Sequence, residues 1–468
     1  MTITYQVRER VTIKNVENKL GLYTNNKCRA LLPSNKELSK CINRLQKNLE
    51  SFEELSQSIK PEDKINLLIL IASLEKSGLL RIGIANNSKT LLSLEPLSHC
   101  FERKELIQGK PVRLSRFVKI YRQDDALTLE IPTGNSKVKL HDHRLGSIIC
   151  LLNNPCSYSE ILNQFPDDLT AYTDEILMML LSSNIIGHVN GDGHIDTDKK
   201  FDLHNWNESD LAFHSQSRLE LGRLNLAERI KSNNTPSLLA EFDNNSKTIS
   251  LVRPNKQLIG KDFLSVIEKR RSIRSYSEDP IDIGQISTLL WYSLRIQKQF
   301  KSTIKDKNGD DLHYEAAFRP VPSGGAVHEI RVVLCVRRCK GLDAGLYEYD
   351  PNMHQLLFIN SYTPKAKKLM DEASMTAKLN RPSDLLITMV ARYDRISWKY
   401  NQLTYSLILK NVGAIYQQLY LVSTAIGLAP CALGWGNSLT FEEATKINPY
   451  RDIAVGEFII GRIPNEQT

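Results

Sequence analysis

The dense succession of apolar strands and helices after Asp262 is the feature that most constrains how this chain folds. Strand-like runs at 329–336, 385–391 and 453–460 are interleaved with helical patterns, and one long helix is predicted over 403–426. Mixed strands and long helices that share one sheet indicate an α+β domain. The sequence therefore predicts an α+β fold for 256–468, with a mixed sheet flanked by helices.

The size and composition of the chain describe an ordinary folded protein. A chain of 468 residues exceeds a usual single core, and about one domain per 100–200 residues predicts three domains. With 41% hydrophobic and 24% charged residues, the chain as a whole is not expected to be disordered. A formal net charge of +8 is mild for this length, so it allows an anionic partner without requiring one.

Cysteine usage and targeting features point to a reducing compartment. The eight cysteines are scattered without the spacing of a small disulfide-rich domain. The N-terminus lacks the apolar core of a signal peptide, and no apolar run reaches the roughly 20 residues of a membrane span. We therefore expect reduced thiols, a cytoplasmic location and no membrane partner. The His141-Asp142-His143 and Asp192-Gly193-His194 runs lie in turn-like surroundings, so no metal is expected.

Two stretches before residue 199 share one pattern, in which an apolar helix leads through a small-residue turn into an apolar strand. The first passes through Ser77-Gly78 into 79–84, and the second passes through Asn184 into 185–189. We interpret these stretches as two small winged-helix-like modules over 1–95 and 110–198, followed by a helical or loop connector over 199–255.

Winged helices often bind DNA, but the charges here disfavour that function. The candidate recognition helix over 170–184 carries Asp174 and Glu175 and has no Lys or Arg for base edges or phosphates. No nucleic-acid partner is therefore expected. The strand runs 126–132 and 137–140 predict a hairpin, and a hairpin edge beside a helix can accept a peptide as an added strand.

The basic run at 268–276 is a candidate phosphate site. Arg270, Ser272 and Arg274 stand at i, i+2 and i+4, so an extended backbone points all three the same way. Two guanidiniums and a hydroxyl suit the oxygens of a monoester phosphate. Taken alone, a solvated basic run beside a helix end is the simpler alternative.

Three further features of the C-terminal domain favour chemistry on a flat ligand. The small residues of the 319–329 loop and of the 432–436 turn let backbone approach a planar ring closely, although plain loops are the alternative. Lys399 and Tyr400 are poor bases when free, with pKa values of about 10. Close together and partly desolvated, each can bring the other toward neutral pH, whereas a bare Lys-Tyr pair is more often ordinary surface.

Together, the order and spacing of these motifs resemble a known family. Arg-x-Ser-x-Arg after a short helix, Pro-Ser-Gly-Gly-Ala before a strand, and a long helix ending at Ala425-Ile426-Gly427-Leu428 resemble the flavin domain of the nitroreductase-like superfamily. Lys399-Tyr400 and the upstream Phe213-His214-Ser215-Gln216-Ser217-Arg218 resemble azoline oxidases of ribosomal-peptide pathways. With two modules before the flavin domain, the whole chain looks most like the cyanobactin thiazoline oxidases.

The resemblance implies a set of site residues. Lys399 and Tyr400 would be the catalytic pair. The residues that would hold FMN through its phosphate or its ring are Arg270, Ser272, Arg274, Pro322, Ser323, Gly324, Gly325, Gln417, Leu433, Gly434 and Arg462.

The resemblance also implies the reaction and the partners. The reaction would be FMN-dependent oxidation of thiazoline rings to thiazoles in a precursor peptide, and whether oxazolines are accepted stays open. The protein would be a homodimer, dioxygen would take the electrons, and the N-terminal modules would recognise a leader peptide. A generic NAD(P)H-dependent nitroreductase or flavin reductase and a non-catalytic peptide-binding protein are the alternatives.

Overall fold

A computed structural model of the chain describes residues 2–8, 11–16, 19–24, 27–33, 36–86, 89–97, 101–132, 134–195, 198, 203, 207–216, 235–239, 247–255, 262–306, 309–400, 403–448 and 451–464. The chain divides into two compact units, Met1–Leu224 and Asn225–Thr468. Each unit is described by itself.

Strands of the first unit form three sheets. They are β1 (Thr2–Val7), β2 (Thr12–Val16), β3 (Lys19–Thr24), β4 (Lys27–Pro33), β5 (Glu50–Ser51), β6 (Leu80–Asn86), β7 (Lys89–Pro96), β8 (Val112–Leu114), β9 (Lys119–Gln123), β10 (Ala126–Glu130), β11 (Ser136–Leu140) and β12 (Ile186–His188). The main sheet has the order β5-β1-β6-β7-β11-β10-β9, beside a three-stranded β2-β3-β4 sheet and a β8-β12 pair.

Most helices of the first unit pack on two apolar cores, and the last of them packs through Leu211 in a small separate cluster. The helices are α1 (Lys36–Lys47), α2 (Phe52–Ser56), α3 (Lys64–Lys76), α4 (Arg144–Leu151), α5 (Tyr158–Leu162), α6 (Thr173–Ser182) and α7 (Glu208–Gln216). The side chains of α1 and α3 form one core with β1 and β6. Those of α4, α5 and α6 form the other with β7, β10 and β11. Ser51 and Ser157 begin α2 and α5 with capping boxes, which accounts for two such short helices.

Strands of the second unit form one large sheet and one separate hairpin. They are β13 (Thr248–Ser250), β14 (Lys298–Lys305), β15 (Asp311–Phe318), β16 (Ile330–Val336), β17 (Gly345–Asp350), β18 (Gln355–Ser361), β19 (Leu385–Arg392), β20 (Leu428–Ala432) and β21 (Asp452–Arg462). The large sheet has the order β13-β18-β17-β16-β19-β21-β20, and β14 pairs with β15.

Helices of the second unit contribute to two cores. They are α8 (Phe263–Lys269), α9 (Ile283–Leu294), α10 (Pro364–Thr376), α11 (Tyr393–Tyr400), α12 (Thr404–Ala425) and α13 (Ser438–Thr445). The larger core holds side chains of α9 and α12, and the smaller core holds those of α10 and α13. Side chains alternate across a strand, so β16 supplies Leu334 to the larger core and Val333 to the smaller one.

Most predicted elements of the second unit are confirmed. The long helix, predicted over 403–426, is α12, and the strands predicted at 329–336, 385–391 and 453–460 are β16, β19 and β21. The second unit is thus an α+β fold, as predicted. The prediction of a mixed sheet is wrong, because every described strand pair of the large sheet is antiparallel.

In the first unit, the predicted hairpin is confirmed as β10 and β11. The strands of the two predicted modules lie in one sheet, because β11 pairs with β7, and the winged-helix prediction is not confirmed. The boundaries predicted at 95–110, 198–199 and 255–256 stay predictions. No helix within the described ranges combines the length and the apolar character that a membrane crossing requires.

A first prediction concerns the start of α9. Asp282 accepts a hydrogen bond from the Gln285 backbone at 2.9 Å, and Gln285 bonds back to the Asp282 backbone at 3.1 Å. Replacing Asp282 by Ala removes this capping box and is expected to lower the free energy of unfolding of the second unit by about 1 kcal/mol. Chemical denaturation measures this loss.

The matched control is Asp279→Ala. Asp279 is an exposed carboxylate that lies 4.0 Å from Lys340, and such surface ion pairs contribute little. Equal losses from Asp279→Ala and Asp282→Ala would contradict the capping assignment.

Candidate active site

The loop between β15 and β16 forms the centre of the candidate site. Its 3₁₀ turn over Gly324–Ala326 places Gly325 at φ 61° and ψ 22°, in the left-handed region. Ala326 and His328 also have positive φ values, of 55° and 48°. A non-glycine residue in this region is uncommon and costs conformational energy, so the surrounding contacts must hold the loop in place.

A buried carboxylate supplies those contacts. Glu329 is fully buried, and its oxygens accept hydrogen bonds from Ser323 Oγ at 3.1 Å and from Asn411 Nδ2 at 2.8 Å. Burial raises the pKa of Glu329 above its ordinary value, although these hydrogen bonds oppose the rise. The His328 backbone donates to Ser323 Oγ at 3.1 Å. Because Asn411 belongs to α12, this network fixes the loop on the long helix.

Lys399 and Tyr400 lie against the same loop. They end α11, and Lys399 is buried whereas Tyr400 is half-buried. A Cβ at Gly325 would lie 2.5 Å from Lys399 Nζ and 2.6 Å from Tyr400 Oη. The structure therefore brings the predicted Lys399-Tyr400 pair and the small-residue loop together. The contact is this close because Gly325 has no side chain.

Tyr314 of β15 completes this cluster, and the sequence analysis missed it. Lys399 Nζ donates to Tyr314 Oη at 2.5 Å, and the Tyr314 hydroxyl donates to the Gly325 carbonyl at 3.0 Å. Burial alone would raise the pKa of Tyr314, but hydrogen bonds from Lys399 and Ser302 and the positive charges of Lys399 and Arg395 hold that pKa below its ordinary value. Asn308-Gly309, a strong hairpin signal between two alternating runs, could have placed Tyr314 on a strand.

The basic run lies beside α12 and β20. Asp262 caps α8, and the chain leaves the helix at Arg270 with an extended ψ of 120°. The Ile273 backbone donates to the Pro430 carbonyl at 2.9 Å, which fastens the run to β20. Ser272 Oγ lies 2.7 Å from Tyr420 Oη, and the Arg270 guanidinium lies 5.1 Å from the Tyr420 ring centroid.

Arg274 joins the same neighbourhood. Burial raises the pKa of the Cys431 thiol, while Arg274, Ser272 and Tyr420 are close enough to oppose the rise. Arg270, Ser272 and Arg274 are thus gathered around Tyr420 and Cys431, as their spacing predicts. Two guanidiniums, of which Arg274 is exposed, and a hydroxyl in one place fit a phosphate group.

The backbone of Arg462 contacts the end of this run. Its carbonyl accepts from the Ser277 backbone at 2.9 Å, and a Cβ at the neighbouring Gly461 would lie 2.3 Å from the Tyr276 ring. Whether the Arg462 side chain reaches a phosphate stays a prediction.

The remaining predicted ring contacts are divided between surface and core. Pro322, Gly434 and Gln417 are exposed, and a Cβ at Gly434 would meet nothing within 4 Å. Leu433, by contrast, is 7% exposed and packs in the smaller core, and its backbone donates to the Glu457 carbonyl at 2.9 Å. The buried side chain of Leu433 is therefore unavailable to a ring, and only backbone atoms of this residue could face one.

The two clusters lie along one helix. Asn411 of α12 anchors the Gly325 loop, and Tyr420 of the same helix contacts the basic run. At 1.5 Å per residue, the helix advances about 14 Å between them. This arrangement suits a ligand with a planar ring at one end and a phosphate at the other. Among the described residues, no group of three or more His, Cys, Asp or Glu side chains could hold a metal ion.

Two family models match different parts of the chain. Residues 267–461 match the Nitroreductase family, and residues 112–223 match the family described as cyanobactin oxidase ThcOx. The resemblance to nitroreductase-like azoline oxidases is confirmed. Ser217 and Arg218 of the upstream motif lie outside the described residues.

Two curated relatives are similar at low identity. A nitroreductase-like protein of Methanocaldococcus jannaschii, MJ1384, is 24% identical over 193 residues, which cover 40% of this chain and 84% of the relative. The trifolitoxin-processing protein TfxB of Rhizobium leguminosarum is 24% identical over 150 residues, which cover 31% of this chain and 40% of the relative.

Solved structures show weak overall similarity. A nitroreductase-like protein from Ralstonia eutropha is 22% identical, with 49% of this chain and 93% of that chain covered and a TM-score of 0.36. A chain of the Escherichia coli microcin synthetase McbBCD, solved with truncated pro-MccB17 bound, is 17% identical, with 48% and 77% covered and a TM-score of 0.35. A relative from Desulfovibrio desulfuricans, solved with FMN, is 16% identical, with 43% and 86% covered and a TM-score of 0.29.

These matches bear on the predicted chemistry. Members of the Nitroreductase family bind FMN, so FMN is confirmed as the cofactor of the family that the second unit matches. The matches also support an oxidoreductase.

A second prediction tests the close approach at Gly325. Replacing Gly325 by Ala forces a methyl group into Lys399 and Tyr400 and adds the cost of a positive φ, so we expect a loss of about 1–3 kcal/mol of stability. Thermal unfolding measures this loss.

Gly324→Ala is the matched control, since its Cβ would meet Leu407 at an ordinary 3.5 Å. If both variants unfolded at the wild-type temperature, the described cluster would be incorrect.

Proposed function

We propose that this protein is an FMN-dependent oxidase that converts azoline rings in a ribosomally made precursor peptide, thiazolines above all, to azoles. The observation that carries this proposal is the contact of Lys399 and Tyr400 with the Gly325 turn, in a unit that matches the Nitroreductase family. The cyanobactin oxidase match over 112–223 supports a peptide substrate rather than a free small molecule.

The basic run would hold the FMN phosphate. Arg270 and Arg274 supply guanidiniums that fit phosphate oxygens in a bidentate manner, and Ser272 adds a hydroxyl donor. Ser272 is held by Tyr420 at 2.7 Å, so its hydroxyl is oriented before a ligand binds. Arg462 is an additional candidate because its backbone borders the same run.

The Gly325 turn would form one wall of the flavin-ring site. Pro322, Ser323, Gly324 and Gly325 present little side-chain bulk, with Gly434 and Gln417 as further candidates at exposed positions. When bound, FMN supplies a two-electron acceptor for a hydride. The protein's own part is to place the substrate carbon beside that ring and to handle the proton.

The proton is assigned to Lys399 and Tyr400. Oxidation of an azoline to an azole removes one proton and one hydride from adjacent ring carbons, so a base is required for the first. Lys399 is buried and held in place by Tyr314, and the Tyr400 hydroxyl lies at the same turn. The base that accepts the proton from the ring carbon would be Lys399 as the neutral amine or Tyr400 as the phenolate, and burial excludes water that would compete for it.

The first unit would recognise the peptide. Its β9 is an edge strand of the seven-stranded sheet, and Ile120 and Tyr121 on β9 are 47% and 39% exposed. An edge strand can pair with an extended peptide. We further propose that this unit recognises the leader peptide and that its two modules are winged-helix-like.

A homodimer and dioxygen complete the proposal. Phe263 and Leu264 of α8 and Leu409 of α12 are exposed by 63%, 65% and 41%, and apolar surface of this kind is typical of an interface. Dioxygen would reoxidise the flavin, which requires no further protein partner.

Incubation of the FMN-loaded protein with a heterocyclised precursor peptide, followed by mass spectrometry, tests the function. A loss of two hydrogens for each oxidised ring is expected. Reduction of nitroaromatics by NAD(P)H without action on the peptide would instead establish a generic nitroreductase, which the similarity to MJ1384 favours. If the purified chain bound no FMN, the result would support the alternative of a non-catalytic peptide-binding protein.

A third prediction concerns the cofactor. Arg270→Ala and Arg274→Ala each remove hydrogen bonds to a charged phosphate, so each is expected to weaken FMN binding by about 10- to 100-fold. Titration of the apoprotein with FMN, followed by flavin fluorescence, measures the dissociation constant. Arg271→Ala is the matched control in the same run, since its position between the two puts it on the opposite side of an extended backbone. An Arg271 variant as weak as the other two would refute the phosphate assignment.

A fourth prediction concerns the catalytic pair. Lys399→Ala and Tyr400→Phe are expected to bind FMN normally and to lower the rate of ring oxidation by about 10²- to 10⁴-fold, the usual contribution of a positioned acid or base. The rate is measured by mass spectrometry on the same peptide. Full turnover by both variants would refute the assigned role.

A further inference from the structure

The β14–β15 hairpin lies outside the large sheet, and its contacts connect it to the candidate active site. The polar stretch 301–311 has no role in the proposed site, yet it includes most of β14 and the first residue of β15, which pair in a regular eight-pair ladder. Ser302 of β14 pairs with Tyr314 of β15, and Tyr314 is only 5% exposed. The hairpin therefore places one buried phenol, that of Tyr314, in the site.

Tyr314 contacts the site through two directed hydrogen bonds. Its oxygen accepts from Lys399 Nζ at 2.5 Å, and its hydroxyl hydrogen goes to the Gly325 carbonyl at 3.0 Å. The Tyr314 phenol thus connects Lys399 to the Gly325 turn by hydrogen bonds. One N–H of Lys399 Nζ is used in the hydrogen bond to the Tyr314 oxygen. This bond therefore fixes the directions of the other N–H groups of Nζ.

The hairpin is itself held rigidly beside α11. Arg395 of α11 donates to the Glu315 carbonyl and, at 2.9 Å, to the Val327 carbonyl. The Glu315 carboxylate accepts from the Leu238 backbone at 2.7 Å. The Tyr314 and Trp398 ring centroids lie 5.3 Å apart, so the phenol is packed as well as hydrogen-bonded.

We infer that Tyr314 is a positioning residue for Lys399, and that the neutral phenol is the form in which the site works. The inference rests on the proposed function and deepens it, because it adds the hairpin to the machinery that handles the ring proton. As a phenol, Tyr314 can donate to Gly325 while accepting from Lys399. As a phenolate it has no hydrogen for Gly325, and it would hold the lysine as a tight ion pair that cannot exchange a proton.

Three side chains that face the Tyr314 hydroxyl favour loss of its proton, whereas the Gly325 carbonyl, which accepts its hydrogen bond, opposes that loss. The three side chains are Lys399 and Arg395 from α11 and Ser302 from β14, and the Lys399 ammonium also lies 4.0 Å from the Tyr314 ring centroid. Burial opposes them, but the pKa of Tyr314 is lowered overall. Activity is therefore expected to fall as pH rises through a value below 10, the ordinary pKa of tyrosine.

The first experiment needs no substrate. Tyrosinate absorbance near 295 nm is titrated for the wild-type FMN-loaded protein and for Tyr314→Phe, and the two curves are subtracted. The difference is expected to show one tyrosinate that forms below pH 10. In Lys399→Met the same tyrosinate should form at higher pH, because the ammonium is gone.

Tyr158→Phe is the matched control for this titration. Tyr158 is exposed on α5 of the first unit, and its hydrogen bond to Asp174 raises its pKa, so its subtracted tyrosinate should form above pH 10. A Tyr314 tyrosinate that forms at or above pH 10 would overturn the inference.

The second experiment uses the peptide substrate. Tyr314→Phe keeps the ring and its packing, so we expect kcat to fall about 10- to 100-fold with KM nearly unchanged, as for one lost hydrogen bond to a charged group. The alkaline limb of the wild-type pH profile should disappear in this variant. A wild-type kcat and an unchanged pH profile would overturn the inference.

A milder variant tests the inference if Tyr314→Phe folds poorly. Ser302→Ala removes one hydrogen bond to the phenol from the outer strand, so it should shift both the tyrosinate and the alkaline limb to higher pH. If the wild-type protein did not act on azoline peptides, the proposed function would fail, and the titration would still decide the Tyr314–Lys399 contact.

Discussion

The buried carboxylate of Glu329 must be satisfied where β16 begins, and the shape of the site follows from how that is done. A carboxylate away from water is costly unless it is hydrogen-bonded, and here Ser323 and Asn411 donate to it. Those two donors tie the loop before β16 to the long helix α12. A loop held this firmly can maintain left-handed residues, and the turn at Gly325 is the result.

Buried cations extend this constraint from the loop to the hairpin. Arg395 is fully buried and donates to backbone carbonyls of the loop, of β15 and of the 235–239 segment, rather than to a carboxylate. Lys399, one turn later, donates to the Tyr314 phenol. The positive charges of Lys399 and Arg395 favour an ionised neighbour, which contributes to the lowered pKa of Tyr314 and suits a site for an anionic cofactor.

Sequence reasoning located the elements well where periodicity was strong and turn chemistry clear. The long helix and the strands around it were predictable, and so was the grouping of Arg270, Ser272 and Arg274, because alternation along an extended backbone is a local property. Leu433 shows the limit of such reasoning. Its turn is rich in small residues, but its side chain packs in the smaller core, because Leu433 follows directly on β20 and its backbone is held by the Glu457 carbonyl of β21.

The sequence alone determined the α+β class of the second unit, the candidate phosphate run and the Lys399-Tyr400 pair, because hydrophobic period and short motifs are written in neighbouring residues. Only the tertiary structure decided what those residues touch. Tyr314 stands 85 positions before Lys399, and no local pattern links them. Their contact exists because β15, the Glu329-anchored loop and α11 converge, and that convergence depends on burial of groups that are distant in sequence.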